Sequence, residues 1–218
     1  MLIKTLVVGQ LETNCYVVTD EATLECVIID PGAESNTILA YIEGNNLIPR
    51  AVFITHGHFD HTMALPDVLE QTDGLPVYVH AREMEVDDRS AARLRTAPDL
   101  RFYAEGDEIE IGALRFRVLE TPGHTLGSVV LLAGDAKSAH DPAADNALFT
   151  GDTLFRGSCG RTDLGGDMEL MQQSLRRLSA LPGDYEVYPG HAETTTLDNE
   201  RRFNYYVLHA NSEFPDQA

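Results

Sequence analysis

The run of residues 55–61, Thr-His-Gly-His-Phe-Asp-His, constrains the fold of this chain more than any other stretch. It places three imidazoles and one carboxylate within six residues, directly after an apolar strand predicted at 51–54. In a helix or a strand these side chains would point in several directions, whereas a tight loop lets them converge. His and Asp ligands suit Zn²⁺, Fe²⁺ or Mn²⁺, so the run predicts a metal site at the end of a strand. The alternative is a solvated His-rich turn, which is a poorer match because the whole chain has eight His.

Three later strand ends each carry one more candidate ligand. They are Thr121-Pro122-Gly123-His124, Phe149-Thr150-Gly151-Asp152 and Val187-Tyr188-Pro189-Gly190-His191. A strand followed by Gly and then His or Asp presents that side chain at the edge of a sheet. Each signal alone is weak, because a single His in a turn is more often an ordinary hydrogen-bonded residue. Together the four strand ends offer five His and two Asp, a set that suits two metals with open positions better than one closed structural zinc.

The rest of the chain alternates short strands with helices. Strands are predicted at 2–8, 15–19, 26–29, 51–54, 76–79, 114–118, 128–132, 147–150 and 186–188, and helices at 35–42, 62–70 and 197–209. A further helix begins at Asp167, an N-cap residue, and ends before Pro182-Gly183. The charged segment 81–98 is helical in composition and suggests no chemistry, and 134–146 is predicted to be an exposed loop. Strands in two halves with helices between them favour stacked sheets covered by helices.

Length and composition limit the possible functions. Domains usually span roughly 100–200 residues, so the 218 residues, 43% of them hydrophobic, predict a single domain over 1–218. A net charge of −19 argues against nucleic acid and anionic membranes as partners. We find no apolar stretch of about 18–20 residues and interpret the N-terminus as a strand, not a signal peptide. Three cysteines, Cys15, Cys26 and Cys159, without CxxC spacing are typical of a reducing compartment, so we expect a cytoplasmic location.

The order of the candidate ligands resembles the metallo-β-lactamase superfamily. The motif is His56-x-His58-x-Asp60-His61, followed by His124, Asp152 and His191. Asp30-Pro31-Gly32 also resembles the N-terminal signature of that superfamily. Within it, the chain looks most similar to short bacterial glyoxalase II-like hydrolases, on the strength of residues 151–155 and 157–164. The resemblance extends from Thr13 to His191.

This resemblance implies an αββα four-layer sandwich of the α/β class with two divalent metals, most often Zn, with Fe or Mn as alternatives. It implies that His56, His58 and His124 hold one metal, that Asp60, His61 and His191 hold the other, and that Asp152 bridges them. Asp30 would steady the loop at 56–61, or else be a plain turn residue. The implied function is hydrolysis of a small acyl thioester, similar to hydroxyacylglutathione, by metal-activated water.

Residue roles in that reaction follow from the same resemblance. Asp60, His58 and Asp152 would take part in catalysis around the activated water. Arg161 would bind a substrate carboxylate through a bidentate pair, although a surface Arg in a solvated loop is an equally good interpretation. Cys159 beside it is interpreted as a packing residue.

Other readings of the same residues stay open. The main alternative is a mononuclear iron persulfide dioxygenase, which would use counterparts of His56, His124 and Asp152. A third is a metal-binding module without catalysis, which predicts a lost ligand that this chain does not show. We expect neither β-lactam hydrolysis, because the N-terminus lacks an export signal, nor nuclease activity, because of the negative charge. The oligomeric state is left open.

Two departures from glyoxalase II bear on the substrate. Thr62-Met63-Ala64 stands where the family often has a Gly-Gly pair, which would alter local packing but not the ligands. Full-length glyoxalase II enzymes carry an extra C-terminal helical domain that contacts glutathione, and only 27 residues follow His191 here. Recognition of glutathione is therefore in question. Tyr205 and Tyr206 are expected to be core aromatics, with a reach into the pocket as the alternative.

Overall fold

Two six-stranded sheets make up the centre of the computed structural model, which describes residues 1–85, 88–135 and 147–212. The first sheet contains, in order, β1 (Leu2–Val8), β2 (Thr13–Thr19), β3 (Glu25–Ile29), β4 (Ile48–Phe53), β5 (Val77–His80) and β6 (Leu100–Tyr103). Strands β1 to β3 pair antiparallel, and β3 to β6 pair parallel. The parallel half arises because helices connect β3 to β4 and β4 to β5.

The second sheet is almost entirely antiparallel. It contains β7 (Glu108–Ile111), β8 (Leu114–Glu120), β9 (Val129–Asp135), β10 (Ala147–Gly151), β11 (Glu186–Pro189) and β12 (Thr195–Thr196), which lie in the order β12-β11-β10-β9-β8-β7. The one parallel pair joins β10 to β11, which a long connection with a helix separates in sequence. In β8 the predicted alternation is confirmed, because Leu114, Phe116 and Val118 are buried.

The inner faces of the two sheets pack on each other through aromatic and branched side chains. Phe53 of β4 lies at the middle, with its ring centroid 5.1 Å from that of Phe116 in β8. Tyr16 of β2 makes an edge contact with Phe149 of β10 at 5.2 Å. Edge-on aromatic pairs of this kind contribute about 0.5–1.5 kcal/mol beyond the area they bury. The two sheets are thereby held in a sandwich.

Helices cover both outer faces. On the first sheet lie α1 (Ser35–Gly44), α2 (Phe59–Thr62), α3 (Leu65–Gln71) and α4 (Asp88–Leu94), with a 3₁₀ helix at Ala81–Glu85; on the second lie α5 (Met168–Ser179), α6 (Leu197–Phe203) and α7 (Tyr205–Asn211). Ile38 and Leu65 pack against Ile28 of the first sheet, and Met171 and Leu175 belong to the cluster beneath the second. The predicted four-layer αββα sandwich is confirmed.

Several predicted boundaries were wrong for local reasons. Residues 59–62 form the helix α2, of which 59–61 were predicted as loop, and the helix predicted at 62–70 begins only at Leu65 as α3. The helix predicted at 197–209 breaks at Asn204, whose side chain accepts hydrogen bonds from the Tyr206 and Val207 amides and caps α7. Tyr205 and Tyr206 are exposed, not core residues. Asp167 caps α5 as predicted, by accepting a hydrogen bond from the Leu170 amide.

The loop predicted at 134–146 falls mostly outside the part of the chain that the structure describes. Of the loop predicted at 134–146, Gly134 and Asp135 belong to β9, and 136–146 lies outside the described residues. In the described ranges, no helix combines the length and the apolar character that crossing a membrane requires.

Candidate metal centre

The centre lies where the carboxyl ends of several strands meet. Strands β3 and β4 of the first sheet run parallel, and β8, β10 and β11 of the second share one direction. Backbone hydrogen bonds join the segments that follow them, from the Gly190 amide to the Gly151 carbonyl at 2.8 Å and from the Val129 amide to the Thr55 carbonyl at 2.9 Å. The predicted ligand turns are therefore brought to one edge of the sandwich.

All seven predicted ligands converge there. They fall into overlapping groups whose ligand atoms lie within 4.8 Å of one another: His56, His58 and His124; Asp60, His61 and His191; and His56, His61 and Asp152. The first two groups are those predicted for two separate metals. Asp152 lies between them, with one carboxylate oxygen 3.4 Å from His124 Nε2 and the other 3.4 Å from His61 Nε2. It has the position that a bridging ligand needs.

Ring nitrogens of neighbouring histidines lie close together, an arrangement that a cation bound between them would explain. His58 Nδ1 lies 2.8 Å from His124 Nε2, and His61 Nε2 lies 3.3 Å from His191 Nε2. Two buried polar atoms here, His56 Nε2 and Asp152 Oδ1, have no hydrogen-bond partner among the described residues. Buried polar groups are rarely left without partners, and a bound metal would satisfy both. The side chains present therefore fit a pair of divalent metals.

In most of these rings, the nitrogen that points away from the centre contacts an oxygen atom of the protein. His124 Nδ1 donates to the Arg161 carbonyl at 2.6 Å, and His191 Nδ1 donates to the Leu11 carbonyl at 3.0 Å. His56 Nδ1 lies 3.2 Å from the hydroxyl of Thr55. A ring whose Nδ1 carries the proton keeps the lone pair of Nε2 free for metal, so these contacts select the ligating tautomer.

Asp30 has the supporting position that the sequence predicted for it. Its backbone takes a left-handed conformation with φ of 52° at the end of β3. One carboxylate oxygen accepts the Thr55 amide at 2.8 Å, and the other accepts the Thr55 hydroxyl at 2.6 Å. The second oxygen also lies 3.0 Å from His61 Nδ1. Asp30 thus ties the start of the ligand run to its last histidine.

Burial keeps three of the histidines neutral. It is the main cause that lowers the pKa of His56 well below its ordinary value and that of His58 to about 4. Burial also lowers the pKa of His124, although Asp152 opposes it. Neutral imidazole is the form that binds metal, so this group needs little deprotonation before a metal enters.

The carboxylates remain ionised in spite of burial. Burial by itself raises the pKa of Asp60, but His191 and His61 outweigh it and hold that pKa well below the usual range. Burial opposes ionisation of Asp152 as well, and His61 is the main group that lowers its pKa. In return, burial acts to lower the pKa of His61, and Asp152 and Asp30 raise it well above its ordinary value. A metal that binds His61 would take the place of the proton that these two carboxylates favour on its ring.

The centre is open on one side. The His56 and His61 side chains are buried, whereas His191 is 24% exposed and Asp60 is 13% exposed. A structural zinc site is closed by protein ligands, while a catalytic site keeps positions for water and substrate. Solvent reaches this centre from the side of His191 and Asp60.

Arg161 supports the centre through its main chain, a role that the sequence did not suggest. Its guanidinium forms two hydrogen bonds to the Asp163 carboxylate, each 2.6 Å long, and its side chain is exposed. A role in binding a substrate carboxylate stays a prediction, and it would require the guanidinium to exchange Asp163 for the substrate. Cys159 lies against the core of the second sheet, and burial raises the pKa of its thiol to about 11, in line with a packing role.

Glu83 is a supporting residue that sequence reasoning missed. It lies in the 3₁₀ helix of the charged segment and is fully buried. Its carboxylate accepts hydrogen bonds from the Gly57 amide, the Thr125 hydroxyl at 2.6 Å and the Gly127 amide. Glu83 thereby joins the loop between His56 and His58 to the loop that follows His124. No local pattern marks it, because its partners lie 26 and 42 positions away in sequence.

Glycines next to the ligands allow this close packing. A Cβ on Gly32 would overlap the Asp60 carbonyl oxygen, and one on Gly190 would overlap the Asp152 carboxylate. These glycines are needed because neighbouring chain segments approach without room for a side chain.

A sequence profile described as the metallo-beta-lactamase superfamily matches residues 8–191. The chain belongs to this superfamily. The match covers all seven converging ligands and the Asp30 turn. It agrees with the fold and with the three overlapping groups of candidate ligands.

Among curated relatives, the probable metallo-hydrolase YqgX of Bacillus subtilis is 35% identical over 216 residues, covering 94% of this chain and 96% of that protein. A hydroxyacylglutathione hydrolase of Hahella chejuensis is 37% identical over 167 residues. That match covers 77% of this chain but 57% of the enzyme.

Similar solved structures share the whole fold. BLEG-1 B3 metallo-beta-lactamase has a TM-score of 0.79 and 32% identity, with 94% of this chain and 99% of that chain covered. TTHA1623 in a di-iron-bound form has a TM-score of 0.76 and 36% identity, covering 93% and 99%. ETHE1 from Myxococcus xanthus has a TM-score of 0.78 and 30% identity, covering 99% and 92%.

Proposed function

We propose that this protein is a metal-dependent hydrolase that cleaves a small acyl thioester. One observation carries the proposal: seven His and Asp side chains converge in overlapping groups of candidate metal ligands, and the centre is open to solvent at His191 and Asp60. Seven ligands around an open edge suit hydrolysis better than a structural role. The likeness to a hydroxyacylglutathione hydrolase over 77% of this chain supports a thioester.

In this proposal, His56, His58 and His124 would hold one metal, Asp60, His61 and His191 would hold the other, and Asp152, which lies between the groups, would contribute to both. Divalent metals supply a water of lowered pKa and polarise a carbonyl oxygen. The metal pair would be Zn, with Fe as the alternative because TTHA1623 is a relative in a di-iron form. Asp60, His58 and Asp152 are the residues that would act on the reacting water.

The protein residues set up the reaction by position and charge. The oxygen of water forms a bond to the acyl carbon and the carbon–sulfur bond breaks. One proton of the water ends on the sulfur and the other passes to solvent, so the products are a carboxylate and a thiol. A thiolate leaves readily because thiol pKa values are about 8.5, so no strong acid has to protonate the sulfur. Asp60 stays ionised beside His191 at 3.2 Å, and the Thr13 hydroxyl donates to it at 3.1 Å. Asp60 is thus held as an acceptor at the open edge.

The test is a comparison of initial hydrolysis rates on a thioester panel led by S-lactoylglutathione. Zn-loaded, Fe-loaded and chelator-treated protein would be compared while an oxygen electrode records uptake. We expect metal-dependent cleavage without oxygen consumption. An Asp152→Ala variant should lose activity, whereas Glu70→Ala, which changes an exposed carboxylate in α3, should keep it.

Other outcomes would replace the proposal. Oxygen uptake by the Fe-loaded protein with glutathione persulfide, without thioester cleavage, would establish the iron dioxygenase instead. Nitrocefin belongs in the panel because BLEG-1 is a similar structure. Its cleavage at a higher rate than any thioester would assign β-lactams as the substrate.

A further inference from the structure

A pocket of about 200 Å³ opens directly beside the metal centre. Its walls come from the end of β1 and the turn into β2, from the turn after β3, and from α2. The lining residues are Val8, Gly9, Gln10, Leu11, Thr13, Gly32, Ala33, Phe59, Asp60 and Met63. None of the functions assigned above uses this pocket.

The lining is apolar and carries no cation among the residues that define it. Leu11, Phe59 and Met63 are each about half exposed, so the pocket presents apolar surface to water. Of its polar side chains, Thr13 and Asp60 are already joined by a hydrogen bond of 3.1 Å. A carboxylate group would find no positive partner on these walls, whereas an alkyl or aryl group would cover exposed hydrocarbon.

The pocket and the centre share structural parts. Asp60 lines the pocket and is one of the converging ligands. The Leu11 side chain lines the pocket while its carbonyl accepts the Nδ1 proton of His191 at 3.0 Å. A molecule whose reacting carbonyl lies at the metals can therefore place a neighbouring group in the pocket.

We propose that this pocket binds the acyl portion of the substrate and selects an uncharged, apolar acyl group. The inference rests on the proposed thioester hydrolysis and makes its substrate class more specific. Ligand pockets usually measure roughly 300–1,000 Å³, so a pocket of about 200 Å³ holds one part of a substrate.

A series of acyl chain lengths on one thiol gives a quantitative expectation. Each methylene buried in an apolar site contributes about fourfold to kcat/KM. For acetyl, butyryl and hexanoyl thioesters of N-acetylcysteamine, kcat/KM should therefore rise with length until the pocket is full. A succinyl thioester, which carries a carboxylate, should be cleaved more slowly than the butyryl thioester.

Variants of Met63 provide the matched comparison. Met63→Glu places a charge in the wall of the pocket and should remove the increase with chain length. Met168→Glu makes the same change at a similarly exposed methionine that does not line the pocket, and it should keep the increase. Met63→Leu, which keeps an apolar side chain, should also keep it.

Direct binding separates the pocket from the reaction. In protein labelled with ¹³C at the methionine methyl groups, Met63→Leu assigns the Met63 resonance among the five methionines. Hexanamide, which is uncharged, should shift the Met63 signal in a saturable way and leave the Met168 signal unchanged. Acetamide at the same concentrations should shift neither.

The combined outcomes distinguish the two proposals. Cleavage of all thioesters at rates independent of length, with an unresponsive Met63 signal, overturns the acyl pocket and leaves the hydrolase. A saturable Met63 shift without any thioester cleavage supports the apolar pocket and overturns the thioesterase. Absence of both the shift and the cleavage overturns both.

Discussion

Replacing Asp30 with Asn tests how this centre keeps His61 ready to bind metal. The substitution preserves shape, and Asn adopts the left-handed backbone conformation found at this position. One side-chain oxygen can still accept the Thr55 amide. The other oxygen becomes an NH₂ group that faces His61 Nδ1, which lies 3.0 Å from the native carboxylate. The NH₂ group and the Nδ1–H of His61 are both hydrogen-bond donors, so they cannot bond to each other.

His61 can relieve this conflict by moving its proton from Nδ1 to Nε2. That change removes the Nε2 lone pair, which points toward Asp152 at 3.4 Å and is needed for metal. Replacing the partner of a metal-binding histidine typically weakens metal affinity by about 10–100-fold, or about 1.4–2.8 kcal/mol. We expect this loss at the group of Asp60, His61 and His191, with a smaller effect at His56, His58 and His124.

The assay is a competitive Zn²⁺ titration against a chromophoric chelator, which resolves two binding steps if the two groups differ in affinity. Long-range ¹H–¹⁵N spectra of the histidine rings report the tautomer of His61 directly. Asp73→Asn is the matched control, because Asp73 has a nearly identical φ of 53° and is exposed. It should leave both binding steps and the His61 spectrum unchanged.

Two results would refute this reasoning. One is an Asp30→Asn variant that binds both metals as tightly as the unmodified protein. The other is weakened binding at both groups with His61 still protonated at Nδ1, which would indicate a general disturbance of the loop.

Three further predictions concern residues around the centre. Gly32→Ala should lower the free energy of unfolding in urea by about 1–3 kcal/mol, because the added Cβ would overlap the Asp60 carbonyl oxygen. Gly44→Ala, where nothing lies within 4 Å of the added Cβ, should not lower it. Equal effects of the two variants would contradict this reasoning. Arg161→Ala should leave Zn²⁺ affinity unchanged, because the main-chain carbonyl that holds His124 remains. If the side chain binds a substrate carboxylate, the same variant should lower kcat/KM about tenfold for thioesters that bear one. A loss of Zn²⁺ binding would show that the Arg161 side chain is needed to hold the loop. Because burial raises the pKa of Cys159 to about 11, its alkylation by iodoacetamide should be slow at pH 8 and increase about tenfold per pH unit up to that value; a rate that levels off near pH 8 would contradict the burial.

Local patterns were sufficient for most of the fold and for the identity of the ligands. The alternating β8, the Asp167 cap and the strand-then-turn segments at His124, Asp152 and His191 depend on neighbours in sequence, so they can be read directly. The strands that were missed, β6, β7 and β12, are short, and each lies at the edge of its sheet. β7 alternates Glu and Ile over only four residues and β12 is two threonines, so neither is long enough to stand out from a turn.

The arrangement of the centre was decided by contacts between distant segments. His124 is held by the Arg161 carbonyl, 37 positions away, and His191 by that of Leu11, 180 positions away. Both contacts use main-chain oxygen, which every residue type supplies, so no residue identity in the sequence can reveal them. The buried Glu83 joins two ligand loops in the same way, across a gap that only packing closes.

The sequence by itself determined which side chains can bind metal and that they follow strand ends, because ligand chemistry and strand periodicity belong to individual residues and their neighbours. Tertiary structure decided that these seven side chains converge in overlapping groups, which nitrogen of each ring faces the centre, and that an apolar pocket opens beside Asp60. These properties depend on distances and directions between segments far apart in the chain. They exist only once the two sheets have packed and the strand ends have met.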